Sequence, residues 1–174
     1  METTFDLACK IRDIPDFPQK GVLFKDITTL LKDPRAFRAA IDIMTDHFRD
    51  RRIEAVVGME SRGFIIGAPL AYNLGTGFIP VRKQGKLPAP AIREEYALEY
   101  GTACLEIHVD AIEPGQRVLI VDDLLATGGT VRATIDLVKR LEGEPVGLAF
   151  LIELSFLGGR SRLEGYDVFS LIRC

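Results

Sequence analysis

The sequence predicts an α/β fold with a central, mostly parallel sheet flanked by helices. Three observations point to it. Apolar runs of strand length alternate with amphipathic stretches of helical period through the middle and end of the chain. The runs around Ile53–Met59 and Arg117–Val121 are nearly continuous in apolar residues, as strands covered on both faces are. The 174 residues suffice for a single domain, 1–174, whose core needs neither a disulfide nor a metal.

Asp33-Pro34 supplies a capping side chain and a proline suited to a first helical turn. Phe37, Ala40, Ile41, Met44 and Phe48 follow at helical spacing, so a helix is expected as far as Asp50. Ile53–Met59 reads as a buried strand, Arg62–Tyr72 as a helix and Gly77–Val81 as the next strand. The stretch from Gly63 to Val81 carries no charge, but Pro69, Asn73, Gly75, Gly77 and Pro80 break it, which favours helix plus strand over a membrane span. Arg82–Glu95 has two prolines, a glycine and several basic side chains without apolar period, and is expected to be a mobile or functional loop. Tyr96–Tyr100 and Ala103–His108 alternate around Gly101 as a hairpin would. Pro114-Gly115 is a turn, Arg117–Val121 a buried strand and Val131–Leu141 an amphipathic helix; Val146–Ile152 and Val168–Ile172 complete the sheet.

Composition narrows the partners. The net charge is −3 with no block of like charge, which argues against nucleic-acid and membrane partners and for small molecules or protein. Glu2, Asp6 and Lys10 interrupt any apolar leader, so the cytoplasm is expected. Cys9, Cys104 and Cys174 are too scattered for a disulfide framework or zinc site, and His47 and His108 lack partners at ligand spacing, so none is given a catalytic role.

The chemistry is concentrated in Val118–Thr130, Val-Leu-Ile-Val-Asp-Asp-Leu-Leu-Ala-Thr-Gly-Gly-Thr. In an open parallel sheet ligands bind beyond the carboxyl ends of the strands, and Asp122 and Asp123 stand at such an end. The following Thr127, Gly128, Gly129 and Thr130 offer backbone N–H groups, hydroxyls and the positive end of a helix dipole, a phosphate cradle distinct from the nucleotide P-loop in spacing and in lacking its lysine. Two carboxylates beside a phosphate site repel the phosphate but suit a cis-diol, so one segment can hold both the diol and the phosphate of a sugar. The same acids can bias Mg²⁺, directly or through its waters. The bland alternative is a buried strand, a glycine turn and Thr130 as a helix cap. It leaves the paired acids unexplained.

That segment closely resembles the phosphoribosyl pyrophosphate (PRPP) signature of the type I phosphoribosyltransferases, in the form used by the adenine branch of the family. Three further segments match that branch in order: Phe17–Thr28 (FPQKGVLFKDIT), Glu60–Phe64 (ESRGF), and Arg82–Pro88 (RKQGKLP) with Tyr96–Gly101 (YALEYG). The resemblance covers nearly the whole chain; Lys20 departs from it where proline is expected. It implies a type I phosphoribosyltransferase-like fold with a small hood over about 1–32 and a flexible β-hairpin lid over about 82–101. PRPP, adenine and Mg²⁺ are the expected ligands, AMP and pyrophosphate the products, and a homodimer the assembly.

The resemblance also distributes roles. Asp122 and Asp123 take the ribose, with Asp122 the metal contact, and Ala126, Thr127, Gly128, Gly129 and Thr130 take the 5-phosphate. Glu60, Ser61, Arg62 and Gly63 form the pyrophosphate loop, a segment that alone reads equally well as a charged turn. Arg82, Lys83 and Lys86 supply positive charge on the lid, where the plain alternative is a solvated basic loop. Leu23, Phe24 and Lys25, with Leu125 opposite, form an adenine slot; without the resemblance Phe24 would be core. Glu99, with Tyr100 nearby, is the general acid–base candidate, beside Arg62 and Arg82 as catalytic residues; the plain alternative is a solvent-facing Glu99 and a packed Tyr100, and the resemblance leaves open whether the pair serves its own or the neighbouring subunit's site. Two other readings stay open: transfer to xanthine, guanine or hypoxanthine, and a PRPP-sensing regulator without turnover.

Overall fold

The computed structural model describes residues 6–97 and 102–174. The chain divides into two compact units, Met1–Ile43 and Met44–Cys174.

In the first unit, β1 (Arg12–Pro15) pairs antiparallel with β2 (Leu23–Asp26), placing Ile14 opposite Phe24. These strands are short, and charge helps to pin them. Arg12 lies 2.5 Å from Asp26 across the ladder and Lys25 2.8 Å from Asp13. The Arg12 bond, with that from Thr28, holds the Asp26 carboxyl down at about 2. A single turn, α1 (Thr28–Leu31), leads to α2 (Pro34–Phe48), whose residues from Met44 onward belong to the second unit. The cap read from Asp33-Pro34 is present: Asp33 Oδ1 accepts the N–H groups of Arg35 and Ala36 at 3.0 and 3.1 Å. Ala36, Ala40, Ile41, Met44 and Phe48 form the buried face of α2.

The second unit is built on a seven-stranded sheet, ordered β5-β6-β4-β3-β7-β8-β9. Its strands are β3 (Ala55–Met59), β4 (Gly77–Lys83), β5 (Ala91–Ala97), β6 (Thr102–His108), β7 (Arg117–Leu125), β8 (Glu144–Glu153) and β9 (Val168–Arg173). All pairings from β4 through β9 are parallel, and β5 and β6 join as an antiparallel edge hairpin. The crossover helices are α3 (Arg62–Leu74) and α4 (Gly129–Arg140). From α4, Val131, Ile135, Leu137 and Val138 pack with Val118, Ile120, Leu148 and Phe150 of the sheet in one apolar core. Among the described residues no helix is long and apolar enough to cross a membrane.

Two boundaries differ from those the sequence predicts. The expected loop Arg82–Glu95 shrinks to residues 84–90, because β4 continues to Lys83 and β5 begins at Ala91. Arg93, Glu94 and Glu95 look like loop residues, but β5 is an edge strand with one solvated side, where charges are tolerated and discourage stray pairing. Strand β7 likewise continues past Val121 to Leu125, because β8 is long enough to pair with it throughout that stretch.

The far edge of the sheet is closed by an ion pair. Arg160, in the 3₁₀ turn Gly159–Leu163, donates to both carboxylate oxygens of the buried Glu153, from Nε to Oε1 at 2.9 Å and from Nη2 to Oε2 at 2.6 Å. The bond from Arg160, outweighing the opposing effect of burial, lowers the Glu153 carboxyl from 4.5 to about 2. Because the folded value is depressed, its stabilisation is fully present above pH 4.5 and is lost as the pH falls towards 2. Glu153→Gln should therefore cost about 2 kcal/mol at neutral pH, and the gap from the unsubstituted chain in denaturant unfolding should close between pH 4.5 and 2. A gap independent of pH would show that the pair does not act through its charge.

Candidate active site

Sheet order determines where a ligand can enter. From β3 the chain crosses by α3 to β4 on one side, and from β7 it crosses by α4 to β8 on the other. The parallel neighbours β3 and β7 therefore flank the switch point, and their carboxyl ends open a crevice. Into it run Glu60 and Ser61, joined by a cis peptide, and then Arg62 at the start of α3. On the other wall are the last residues of β7 and the turn into α4.

The two walls nearly touch at Gly63. A Cβ there would lie 2.9 Å from both Asp122 Oδ1 and the carbonyl oxygen of Val121, so this approach is open to glycine alone. Asp122 and Asp123 occupy the crevice from within β7, Asp122 paired opposite Phe150, rather than beyond the strand's end. A cleft of about 330 Å³ is lined by both acids together with Glu60, Ser61, Arg62 and Lys83. A smaller cavity of about 60 Å³ is walled by Ala126–Val131. Asp122, Leu124, Ala126 and Thr130 line both, so the two voids adjoin.

The smaller cavity is a helix N-terminus. Gly128, with φ 85°, occupies the N-cap position of α4, and no side chain caps the helix. The alternative of Thr130 as cap is thus not found. The first N–H groups of α4, which have no partners within their own helix, face a space walled by glycines and threonines, the arrangement that takes up an oxyanion.

Charge in the larger cleft is arranged as carboxylate–guanidinium pairs. Arg62 Nε lies 2.5 Å from Oδ2 of the buried Asp123. Burial, and then the neighbouring Asp123 carboxylate, push the Asp122 carboxyl well above its usual range. Hydroxyl donors or a cation brought by a ligand would relieve that crowding. Glu60 receives Arg82 Nε at 3.2 Å and the backbone N–H of Lys83 at 3.0 Å. Against the effect of burial, these bonds keep the Glu60 carboxyl below its ordinary value. Arg82 also donates to the carbonyl of Lys86 at 3.2 Å, and Gly85 N–H binds the buried Glu106 carboxylate at 2.9 Å. Two acids therefore hold the basic turn in shape.

Not every residue singled out from the sequence gathers here. Leu125 is 1% exposed, belongs to the apolar core and borders only the smaller cavity, whereas Leu124 lines both. The reason is strand alternation: consecutive side chains point to opposite faces. Leu23, Phe24 and Lys25 lie in β2 of the first unit, where Phe17 meets Phe24 edge-on with ring centroids 5.1 Å apart. Glu99 and Tyr100 fall outside the described residues. Sequence reasoning passed over Tyr96, which lines the cleft, and Glu106. The only signal for Glu106 is an acid within the apolar alternation Cys104–His108.

Comparison with known proteins agrees with this geometry. Residues 26–171 match the model of the phosphoribosyl transferase domain. The chain is 65% identical over 167 residues to the adenine phosphoribosyltransferase of Thermotoga neapolitana, covering 96% of this chain and 98% of that one. The crystal structure of the adenine phosphoribosyltransferase of Thermoanaerobacter pseudethanolicus superposes with a TM-score of 0.94 at 55% identity, over 97% of this chain and 98% of that one. The Saccharomyces cerevisiae enzyme, solved in complex with an imino-altritol bisphosphate and adenine, gives 0.89 at 42% identity, over 95% of this chain and 96% of that one. A helix terminus without a side-chain cap beside paired acids at the switch point, together with these relatives, establishes that the chain belongs to the phosphoribosyltransferase family, among its adenine phosphoribosyltransferases.

Proposed function

We propose that this protein transfers the 5-phosphoribosyl group of PRPP to N9 of adenine, forming AMP and releasing pyrophosphate. The carrying observation is the adjacency of the two voids at Asp122, Leu124, Ala126 and Thr130. A ribose whose diol meets Asp122 and Asp123 then has its 5-phosphate at Ala126–Thr130 and its diphosphate towards Glu60–Gly63 and Lys83. Adenine is favoured over other bases by the names of the relatives and by the adenine complex of the yeast enzyme.

In the reaction the C1–oxygen bond to pyrophosphate breaks, the C1–N9 bond forms and the purine gives up a proton. The chain's contribution is positional and electrostatic. Asp123 holds Arg62, and Glu60 holds Arg82 and the Lys83 backbone, so the cations are fixed before the diphosphate arrives. Lys86 adds charge on the same turn. Leu124, rather than Leu125, is the β7 side chain suited to one face of the base, with Leu23, Phe24 and Lys25 assigned to the base by family resemblance. Glu99, with Tyr100 beside it, is the candidate to manage the purine proton on the same ground.

Among the described residues no three His, Cys, Asp or Glu side chains assemble a metal cage. Asp122, with Asp123 beside it, would suit a Mg²⁺ ion arriving with the substrate, since that ion commonly binds through one or two carboxylates plus substrate phosphates. When bound it would spread the charge of the leaving group. A cytoplasmic homodimer is the proposed assembly; α3 presents Ile65 and Tyr72, 43% and 86% exposed and two turns apart, as apolar surface for a second copy.

The direct test is pyrophosphate release from PRPP and Mg²⁺ with adenine, hypoxanthine, guanine, xanthine or uracil supplied singly. Release with adenine alone, accompanied by AMP, is expected; use of another base would overturn the base assignment but leave the sugar site standing. Asp122→Asn with Asp123→Asn should weaken PRPP binding about a hundredfold while the fold survives. Unchanged affinity in the folded double variant would defeat the diol assignment. Leu124→Ala should raise KM for adenine about tenfold and leave PRPP affinity alone, whereas Leu125→Ala should principally lower stability, by about 2–5 kcal/mol.

A further inference from the structure

Arg160 lies outside the cleft, yet its guanidinium is bonded on every side. Besides both oxygens of Glu153 it donates to the carbonyl of Val168 at 2.9 Å and to the hydroxyl of Ser170 at 3.2 Å. One fork thus ties the turn Gly159–Leu163 to β8 and β9. Its neighbour Gly159 is buried against the turn before α4. A Cβ on Gly159 would overlap the carbonyl oxygen of Ala126 and lie 3.0 Å from the backbone nitrogen of Gly128; one on Gly128 would lie 2.9 Å from the carbonyl oxygen of Gly159. Glu153 itself pairs opposite Leu125, the residue that enters this turn, and Leu154 N–H bonds the Leu125 carbonyl at 2.9 Å. The Arg160–Glu153 pair therefore fixes both the strand that leads into Ala126–Thr130 and the backbone packed beneath it.

We propose that Arg160, through Glu153 and Gly159, is a positioning residue for the 5-phosphate. The inference rests on the reading of Ala126–Thr130 as the 5-phosphate loop. That turn contains two glycines and has no side-chain cap, so its own chemistry does not hold its N–H groups convergent. Support from beneath does so, and donors fixed in advance bind an anion without reorganising.

The test compares dissociation constants for AMP and adenosine in the unsubstituted protein, in Arg160→Lys and in Gly159→Ala. Arg160→Lys keeps the charge but loses the fork; Gly159→Ala leaves the ion pair and displaces the loop. Both should weaken AMP about tenfold or more while adenosine binding is unchanged, and KM should rise for PRPP but not for adenine. Equal losses for AMP and adenosine would reduce Arg160 to a structural role and overturn the proposal, as would full AMP affinity in the folded variants. If Arg160→Lys does not fold, Glu153→Gln, which breaks the same fork from the other side, decides by the same comparison. An unsubstituted protein that binds AMP no better than adenosine would refute the loop reading itself, and the proposal with it, a result distinct from a failure seen in the variants alone.

Discussion

The site depends on how closely β3 and β7 approach at their carboxyl ends. Parallel pairing brings Gly58 opposite Val121, and the next segments must then share the same narrow space. Gly63 makes this possible by presenting no side chain to the Val121 carbonyl and the Asp122 carboxylate. With that gap closed, the start of α3 and the end of β7 become two walls of one crevice. A larger residue would force the walls apart and separate the acids from Arg62.

Within the crevice, positive groups are held by negative ones before any ligand is present. A free guanidinium would be a stronger lure for phosphate but would sample many rotamers. Asp123 and Glu60 remove that freedom from Arg62 and Arg82 at the cost of part of their attraction. The arrangement favours accurate placement over raw affinity, which suits a site that must let pyrophosphate go. Asp122 is the exception. Burial and its neighbour disfavour its charged form, more than the Asp123 N–H and Arg62 restore it, and a sugar diol or a cation can supply what is missing.

Much of this was legible in the chain, for reasons that are local. The Asp33-Pro34 cap, the apolar run of β7 and the glycine-threonine turn each express a short-range rule. What escaped depends on partners distant in sequence. Acids inside a strand resemble a strand end, and only the ladder to β8 shows that β7 reaches Leu125. The choice between Leu124 and Leu125 then turns on alternation along a strand whose end no local pattern marks. Arg93–Glu95 resembled a loop because charge marks loops and edge strands alike. No local pattern links Gly159 to Ala126, more than thirty residues away.

Helix α4 has one further consequence. Its first turn faces the smaller cavity, and at its last residue Arg140 donates to the carbonyl of Arg93 at 2.6 Å and to Glu94 at 3.0 Å on β5. Opposite those residues in the ladder stand Glu106 and Leu105 of β6, which pair with Arg82 and Lys83 of β4. The sheet and a rod about 18 Å long at 1.5 Å per residue thus hold the same two rungs of the β5–β6 ladder, one from each strand. The far end of that rod is the mouth of the anion cavity, so the basic turn after β4 and the anion cavity take their positions from one helix.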